Sequence, residues 1–456
     1  MVSMYKTWFN GYVGDGLDSA TERLGLTFKT RFFGVDKVWT SNVEIIHQIL
    51  VKDFNGYVKG DEFRTASAGL LGHAIFTTDD KSWSITRPFF RRSRVSDFEH
   101  LEQLTNTAIA IIKEKEREGR AFDFQDLISR LSIDASTLLL FGTCLDSLRE
   151  GSSGYRVSGQ ANSFRAAVIR SLHTICGRLM IGPSWPVLEI FGDSTASDNA
   201  LVDSFIDPLL DASLAKKAAG GTTTNYDSSE PDTLLDSLLS EISDRKVLRD
   251  ETVVGGETTA SSLSFVIYCL TQHPQVKERL RAEILEMLGH DRTPDAENIK
   301  SLKFLRAVID ETLRLYPTIP YNLRETTRDT TWPPNKAGEK PYFIPAKTSV
   351  CYSVWLLHRN VDLWGPDAMT EGPRNCLGLQ FAYLQMSFVL IKLLQTFETF
   401  TLATEAQPSW SRPPASWRAP EFSDHRKFKE ECWPRTHIAL YPNGGMWVRM
   451  KEEKVL

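Results

Sequence analysis

A cysteine directly ahead of an apolar stretch is the residue whose position most clearly predicts chemistry. Cys376 lies in the run EGPRNCLGLQ, before a predicted apolar helix over Leu377–Leu394. At a helix N-terminus the dipole and the free backbone N–H groups stabilise a thiolate, the form of cysteine that binds metals. Gly372 permits a tight turn, Gly378 leaves room for a flat ligand, and Arg374 supplies a fixed cation. The alternative for any single cysteine is a buried structural residue.

An acid followed by hydroxyl residues forms a second candidate site, in the run VGGETTASSLSF. Glu257 can relay protons from solvent, and the Thr258 hydroxyl can hold a water or another oxygen species in place. Both lie in a predicted buried helix over Glu251–Thr271, which His273 and Pro274 end because proline lacks an N–H. In the alternative interpretation, the threonines bond back to preceding carbonyls and have no chemical role.

A third motif is the run DETLRLYP. A spacing of three places Glu311 and Arg314 on one face of a predicted helix over Ile299–Tyr316, close enough for an ion pair. By itself such a pair usually lies at the surface and contributes under about 1 kcal/mol. The spacing therefore predicts a contact and leaves its role open.

Together the three motifs resemble those of the cytochrome P450 family of haem-thiolate monooxygenases. G-x-R-x-C-x-G resembles the cysteine-ligand loop, whose fuller form F-x-x-G-x-R-x-C-x-G has Met369 at its first position here. VGGETT resembles the oxygen-activation motif [A/G]-G-x-[D/E]-T-[T/S], with Val254 at the first position. ETLRLYP resembles the family's E-x-x-R motif with its following proline. The expected E-F-x-P-E-R-W segment is absent, because Asp367 and Ala368 run almost directly into the cysteine loop.

This resemblance implies haem b as the cofactor, with Cys376 as the axial ligand of its iron. In the same loop, Gly372 and Gly378 would shape the backbone and Arg374 would pair with a haem propionate. Further propionate contacts are implied by the local sequences around Trp83, Arg87 and Arg324.

For the other two motifs the resemblance implies distinct roles. Glu257 and Thr258 would deliver protons during oxygen activation. Glu311 and Arg314 would form a structural ion pair that supports the cysteine loop. The absent segment would normally supply a third partner to that pair. The alternative for a family member without this segment is a degraded, non-catalytic protein.

Helices predominate among the elements that must position these residues. Helical periodicity covers residues 95–141 and the stretch after the N-cap residue Asn42, while LTFKTRFFGVDKVWTSN predicts a hairpin. The end of the chain alternates like a hairpin around Pro442–Gly445. The polar run at 218–231 predicts a flexible loop inside a single domain over 1–456. The predicted fold class is mainly α with a minor β-sheet region (α+β), and the resemblance implies the cytochrome P450 fold.

Composition limits the classes of function. The 456 residues carry a formal net charge of -5, which argues against a nucleic-acid binder. No C-x-x-C occurs among the six cysteines, so neither zinc nor iron–sulfur sites are expected. The N-terminal run has no long apolar stretch, and we expect neither a signal peptide nor a membrane anchor in this chain.

The sequence looks most like fungal alkane and fatty-acid hydroxylases in segments such as KGDEF and SVCYSVWLLHRNVDLWGPDA. Such enzymes insert one atom of O2 into a C–H bond, with electrons from NADPH through a flavoprotein reductase, at the cytosolic face of the endoplasmic reticulum. A hydrophobic substrate, lipid-like or xenobiotic, suits the apolar residues predicted to line the pocket: Ile75, Phe76, Val254, Ile319 and Pro320. The alternative to a monooxygenase, if the protein is an active enzyme, is a haem-thiolate isomerase, dehydratase or peroxygenase.

Overall fold

A computed structural model shows a mainly helical protein with several short strands. The residues that it describes are 11–32, 34–79, 98–150, 160–218, 233, 235, 238–239, 242, 244–252, 257–336, 338–360, 363, 379–423 and 425–453. Of the predicted loop at 218–231, the structure describes only Ala218, which is the last residue of a helix. The remaining positions of the loop lie outside the described residues.

The α-helices, numbered in chain order, are α1 (Leu17–Leu24), α2 (Val43–His47), α3 (Asp61–Leu71), α4 (Phe98–Arg117), α5 (Phe124–Phe141), α6 (Ser147–Glu150), α7 (Gln160–Ile181), α8 (Ala196–Ala218), α9 (Arg245–Thr252), α10 (Glu257–Gln272), α11 (Pro274–Leu288), α12 (Ala296–Ser301), α13 (Lys303–Leu315), α14 (Val354–Leu357), α15 (Leu379–Thr396) and α16 (Arg426–Lys429). The strands are β1 (Thr27–Phe32), β2 (Val35–Thr40), β3 (Tyr57–Val58), β4 (Phe122–Asp123), β5 (Tyr321–Thr326), β6 (Thr330–Trp332), β7 (Tyr342–Ile344), β8 (Ser349–Ser353), β9 (Phe397–Leu402), β10 (Pro434–Thr436), β11 (Leu440–Pro442) and β12 (Trp447–Glu452).

Local signals set several of these boundaries. The side chain of Asn42 accepts hydrogen bonds from the backbone N–H groups of Glu44 and Ile45, which confirms it as an N-cap. Helix α10 ends at Gln272, and Pro274 then starts α11 at a position where a missing N–H costs nothing. The predicted hairpin is β1 and β2, which pair antiparallel with Thr27 opposite Thr40 and Phe32 opposite Val35.

The largest sheet has five strands in the order β1-β2-β8-β5-β3. Strand β2 pairs in parallel with β8, and β8 pairs antiparallel with β5. This order places β5, which carries Arg324, next to the middle of the sheet. The remaining strands among the described residues form smaller sheets, namely β4-β12-β9, β10-β11 and β6-β7.

The hairpin predicted at the end of the chain is wrong. Strand β11 pairs with β10, whereas β12 pairs with β9 and β4. The reason is tertiary, because Asp123 accepts a hydrogen bond from the backbone N–H of Met446 at 2.9 Å and draws the chain onto β4. Gly445, with a φ of 94°, lies so close to the Asp123 carboxylate that a Cβ atom would clash with it.

The single helix predicted over Ile299–Tyr316 is also wrong, because Leu302 leaves the helical conformation and separates α12 from α13. The Glu283 carboxylate of α11 accepts hydrogen bonds from the backbone N–H groups of Phe304 and Leu305. It therefore satisfies the free donors at the start of α13, as an N-cap side chain would.

Helix α10 lies in the largest hydrophobic core. It packs against α5, α13 and α15, and the side chains of Leu263, Phe265 and Val266 are fully buried. A rigid, buried helix therefore carries the acid–alcohol motif at its N-terminal end. None of the described helices is both long and apolar enough to span a membrane.

Candidate functional site

Glu257 occupies the first turn of α10 and faces a cation from another helix. Its carboxylate lies 3.6 Å from Nε of Arg165 on α7. Burial raises the pKa of Glu257, and the charge of Arg165 opposes that rise. Arg165 also donates a 2.7 Å hydrogen bond to Asp126 on α5, which in turn pairs with Arg130 at 2.7 Å. The candidate acid thus sits at one end of a chain of ion pairs.

Thr258 is exposed, and its hydroxyl has no hydrogen-bond partner among the described residues. The carbonyls to which Thr258 and Thr259 would bond back belong to residues outside the described part of the chain, so that alternative stays open; the serines that follow do bond back. Ser262 Oγ donates to the carbonyl of Thr258 at 2.9 Å, and Ser264 Oγ donates to that of Ala260 at 2.7 Å. The Thr258 side chain is thus exposed to a ligand or water at the start of α10.

Glu311 and Arg314 form a bidentate ion pair, with N–O distances of 2.7 and 2.6 Å. Arg314 also donates a 2.9 Å hydrogen bond to the carbonyl of His358, just after α14. The Glu311 side chain is 39% exposed, so the pair lies partly at the surface. Any contact with the cysteine loop lies outside the described residues.

The surroundings of Arg324 show whether the protein could bind a cofactor that carries carboxylate groups. It is 4% exposed, and its Nη1 donates only to uncharged groups, the side chain of Asn322 and the carbonyl of Leu323. Its Nε has no hydrogen-bond partner, and none of the ion pairs between described residues includes it. A buried cation without a counter-charge is costly, so this guanidinium fits a carboxylate such as a haem propionate.

Other predicted site residues lie outside the described part of the chain, namely Trp83, Arg87, Gly372, Arg374, Cys376 and Gly378. The other cysteines differ from a metal-binding thiolate. Burial raises the pKa of Cys144 to about 11 and those of Cys269 and Cys351 to about 12. The described residues contain no group of three or more His, Cys, Asp or Glu side chains able to hold a metal ion.

A buried carboxylate that sequence reasoning missed lies at the end of α13. Glu430 is 2% exposed and accepts hydrogen bonds from the phenols of Tyr12, Tyr268 and Tyr316 at 2.9 to 3.0 Å. Arg426 supplies its counter-charge at 3.0 Å. The four partners come from the N-terminal segment, α10, the residue after α13, and α16. Glu430 therefore joins the helix of the E-x-x-R motif to both ends of the chain.

Replacing Glu430 by leucine is expected to lower the free energy of unfolding by about 3–5 kcal/mol, because it leaves the half-buried guanidinium of Arg426 and three buried phenols without their shared acceptor. Urea denaturation followed by tryptophan fluorescence measures the change. The neighbouring Glu431, whose pair with Arg418 is exposed, is the matched control, and E431L should cost under about 1 kcal/mol. Equal losses in the two variants would contradict the prediction.

These features define a mainly helical protein in which one central helix presents an acid and an exposed threonine. A protein-family model described as Cytochrome P450 matches residues 13–370 and 370–421, and the chain belongs to the cytochrome P450 family. The second match includes the cysteine loop. The family, the mainly helical fold and the assignment as a monooxygenase, an oxidoreductase, are thereby confirmed.

The chain is similar over most of its length to curated fungal proteins. It is 30% identical to the cytochrome P450 monooxygenase pvhE of Talaromyces variabilis, over 94% of this chain and 82% of that protein. It is 31% identical to the cytochrome P450 monooxygenase himC of Aspergillus japonicus, over 95% and 78%. It is 32% identical to cytochrome P450 52A5 of Candida maltosa, over 85% and 79%.

Proposed function

We propose that this monooxygenase inserts one oxygen atom of O2 into a C–H bond of a hydrophobic substrate, with electrons from NADPH through a flavoprotein reductase. The observation that carries the proposal is the pairing of a mostly buried acid, Glu257, with the exposed side chain of Thr258 on the same turn of α10. Oxygen activation driven by a reductase consumes protons, and this pair can supply them. Isomerisation and peroxide-driven reactions take up no net protons, so they do not depend on a supply from solvent.

Membership of the family implies haem b, and the chain offers residues of the right chemistry for it. Cys376 would hold the haem iron through its sulfur, and the bound haem would supply the chemistry of O2 activation. The propionates would be held by the buried Arg324 and by three residues outside the described part of the chain, Arg374, Trp83 and Arg87. Only Arg324 shows its fit, through its unpartnered Nε.

In this proposal the residues of α10 manage the protons. Burial favours the protonated form of Glu257, which can then donate, and Arg165 keeps that pKa from rising further. Thr258 holds a water in position through its exposed hydroxyl. Glu311 and Arg314 do no chemistry and hold the end of α13 to the turn after α14.

The predicted substrate-lining residues differ in their exposure. Ile75 and Pro320 are buried, Ile319 is half-buried and Phe76 is 38% exposed, while Val254 lies outside the described residues. A large exposed aromatic side chain next to buried aliphatic ones suits a hydrophobic ligand. These residues therefore support the hydrophobic class of substrate.

The test of the proposed function is the co-substrate requirement of the purified protein. Reconstituted with haem, a fungal NADPH-dependent reductase and a panel of apolar substrates, it should form hydroxylated product only when NADPH and O2 are both present. Product formed with peroxide alone would point to a peroxygenase. Absence of bound haem would identify a degraded family member.

We also propose peripheral contact with the cytosolic face of the endoplasmic reticulum membrane. Four exposed apolar side chains follow the end of α7, at Val187, Leu188, Ile190 and Phe191, with exposures of 70% or more. A contiguous apolar patch of this kind marks a surface for lipid or protein. It supports membrane attachment independent of any spanning helix.

Replacing Ile190 and Phe191 together by serine is expected to weaken binding to phosphatidylcholine vesicles about tenfold or more, because each side chain contributes about 1.5–3 kcal/mol when fully buried in an apolar phase. Sedimentation with the vesicles measures the bound fraction. Trp410, 69% exposed and remote in sequence, provides the control variant W410S, which should bind as the wild type does. Unchanged binding of the double variant would contradict the membrane role of the patch.

A further inference from the structure

A continuous row of six aromatic side chains crosses the core beside Glu430. The row consists, in order, of Tyr268, Tyr316, Trp355, Tyr12, Trp417 and Trp433, and the centroids of neighbouring rings lie 5.9, 6.5, 5.7, 5.3 and 5.7 Å apart. Aromatic rings in contact have centroids roughly 4.5–7 Å apart, so the row has no gap. Electron transfer between side chains slows steeply with distance, and an unbroken row of rings therefore favours it.

Every member of the row is a tyrosine or a tryptophan. These are the aromatic residues whose rings lose a single electron most readily, whereas phenylalanine does so only with great difficulty. The nearby Phe265 stacks on Tyr316 at 4.4 Å, and it contributes packing without extending the row. The residue types of the row therefore suit the transfer of single electrons.

The two ends of the row differ in their access to solvent. Tyr268 on α10 is 3% exposed, and Tyr316, directly after α13, is 1% exposed. Trp433 at the other end is half-buried, and its indole N–H donates to the carbonyl of Gly11 at 3.0 Å. A small electron donor in solution can therefore approach Trp433 but not the buried tyrosines.

A tyrosine that loses an electron also needs a base for its proton, because an oxidised phenol is a strong acid. Such a base must lie within hydrogen-bond reach, about 2.6–3.2 Å. Glu430 meets this requirement for Tyr12, Tyr268 and Tyr316, with distances of 2.9 to 3.0 Å. A carboxylate only accepts, so each phenol points its proton at Glu430. The proton can move there and return without leaving the core.

Arg426 couples loss of the electron to loss of the proton. Its guanidinium lies 4.8 Å from the centre of the Tyr316 ring and donates to the Tyr316 hydroxyl at 2.9 Å. A cation at this distance disfavours a positively charged ring but not a neutral tyrosyl radical. Burial and the charge of Glu430 hold the pKa of Tyr12 and Tyr316 well above the usual range, so both phenols keep their protons until they are oxidised.

We propose that this row is a one-electron relay, by which a thiol at the surface reduces an oxidant that peroxide generates inside the protein. The oxidant is of the class formed when peroxide reacts with a haem, the cofactor that membership of the family implies. The relay is a further activity and does not depend on the insertion of oxygen into a substrate.

The electrons and protons of the relay balance. The oxidant takes one electron from Tyr316, whose proton moves to Glu430, and a neutral tyrosyl radical remains. An electron then passes inward from ring to ring, Tyr316 regains its proton, and the vacancy reaches Trp433. There a thiol gives up an electron and a proton and becomes a thiyl radical. Two such passages turn two thiols into one disulfide and one peroxide into two waters, which take up the two protons.

Pulse radiolysis in azide solution tests the relay on the full chain. Azide radicals oxidise tryptophan much faster than tyrosine, and the tryptophanyl and tyrosyl radicals that form absorb at different wavelengths. In the wild type, tryptophanyl signal should convert into tyrosyl signal at a rate constant that does not change with protein concentration, because the transfer occurs within one molecule.

Three variants interrupt the relay and keep the size of the side chain close to the original. Trp417→Phe and Tyr12→Phe each place a ring that resists oxidation in the row, so both should lose the conversion. Glu430→Gln keeps an oxygen acceptor for the phenols but does not take up their protons, so the yield of tyrosyl radical should fall. Trp332 is fully buried in another hydrophobic cluster, and the control Trp332→Phe should keep the conversion.

A second measurement follows the disulfide that the haem-loaded chain forms from glutathione and hydrogen peroxide. The wild type and Trp332→Phe should form it at the same rate, and Trp417→Phe should lose the rate above that of the uncatalysed reaction. The relay would be overturned by a wild type without the concentration-independent conversion, by conversion that survives in both Trp417→Phe and Tyr12→Phe, or by disulfide formation that Trp417→Phe leaves unchanged. The requirement of hydroxylation for NADPH tests the proposed function separately, and Trp417→Phe should leave that requirement in place.

Discussion

Replacing Cys376 by alanine is expected to abolish the red-shifted Soret band that the dithionite-reduced wild type should give with carbon monoxide. That shift requires a thiolate bound to the haem iron, because the sulfur anion would donate the electron density that moves the band. The side chain of alanine cannot coordinate, so we expect complete loss of the shifted band and of NADPH-driven product formation. Absorbance difference spectra of the two proteins, at matched haem content, provide the measurement.

The other cysteines make this prediction specific. Burial raises the pKa values of Cys144, Cys269 and Cys351 far above neutrality, so these residues remain thiols. Cys144 is half-buried and is the matched control, and C144A should keep the wild-type spectrum. A shifted band that persists in C376A would contradict the ligand assignment. A wild type that binds no haem would instead favour the degraded family member.

Replacing Glu257 by glutamine is expected to lower the rate of product formation by about 10²–10⁴-fold, the usual contribution of a positioned acid or base. Glutamine keeps the size of the side chain and most of its polarity, but it cannot release and recover a proton at neutral pH. The carbon monoxide spectrum should be unchanged, since Glu257 has no part in holding the iron. Product formed per NADPH oxidised, measured for E257Q and the wild type, distinguishes lost proton delivery from lost haem.

The ion pair with Arg165 adds a pH dependence to this prediction. Arg165 lowers the pKa of Glu257 against the effect of burial, so R165L should raise that pKa. Activity that requires protonated Glu257 falls as pH rises through its pKa, and in R165L this fall should move to higher pH. The effect of pH on stability has the same direction. Protonated Glu257 stabilises the fold at pH values below the pKa that this residue has in the unfolded chain. That stabilisation is lost as the pH rises through the pKa of Glu257 in the folded protein.

The control for the Arg165 prediction is Arg130, which shares the partner Asp126 but forms no ion pair with Glu257. R130L should therefore leave the pH profile of product formation in place. The role of Arg165 in lowering the pKa of Glu257 would be excluded by either of two results. The pH profile of product formation could stay in place in R165L, or it could move equally in R165L and R130L.

By itself the sequence determined what depends on neighbours along the chain. The N-cap at Asn42, the end of α10 before Pro274 and the contact of Glu311 with Arg314 all involve residues within four positions of each other. Local hydrogen bonds and helical spacing decide such features. The motif around Cys376 is equally local, which is why the family was predictable although that loop lies outside the described residues.

Only the tertiary structure decided which distant groups share the site. Glu430 and Tyr12 are separated by 418 positions, and the partner of Glu257 lies on another helix. Similarly, Glu283 interrupts a helix that periodicity alone would continue past Leu302, and Asp123 draws β12 away from the nearest strand. A carboxylate accepts a hydrogen bond from any donor that packing brings near it. A sequence pattern shows the carboxylate but does not show which donor packs beside it.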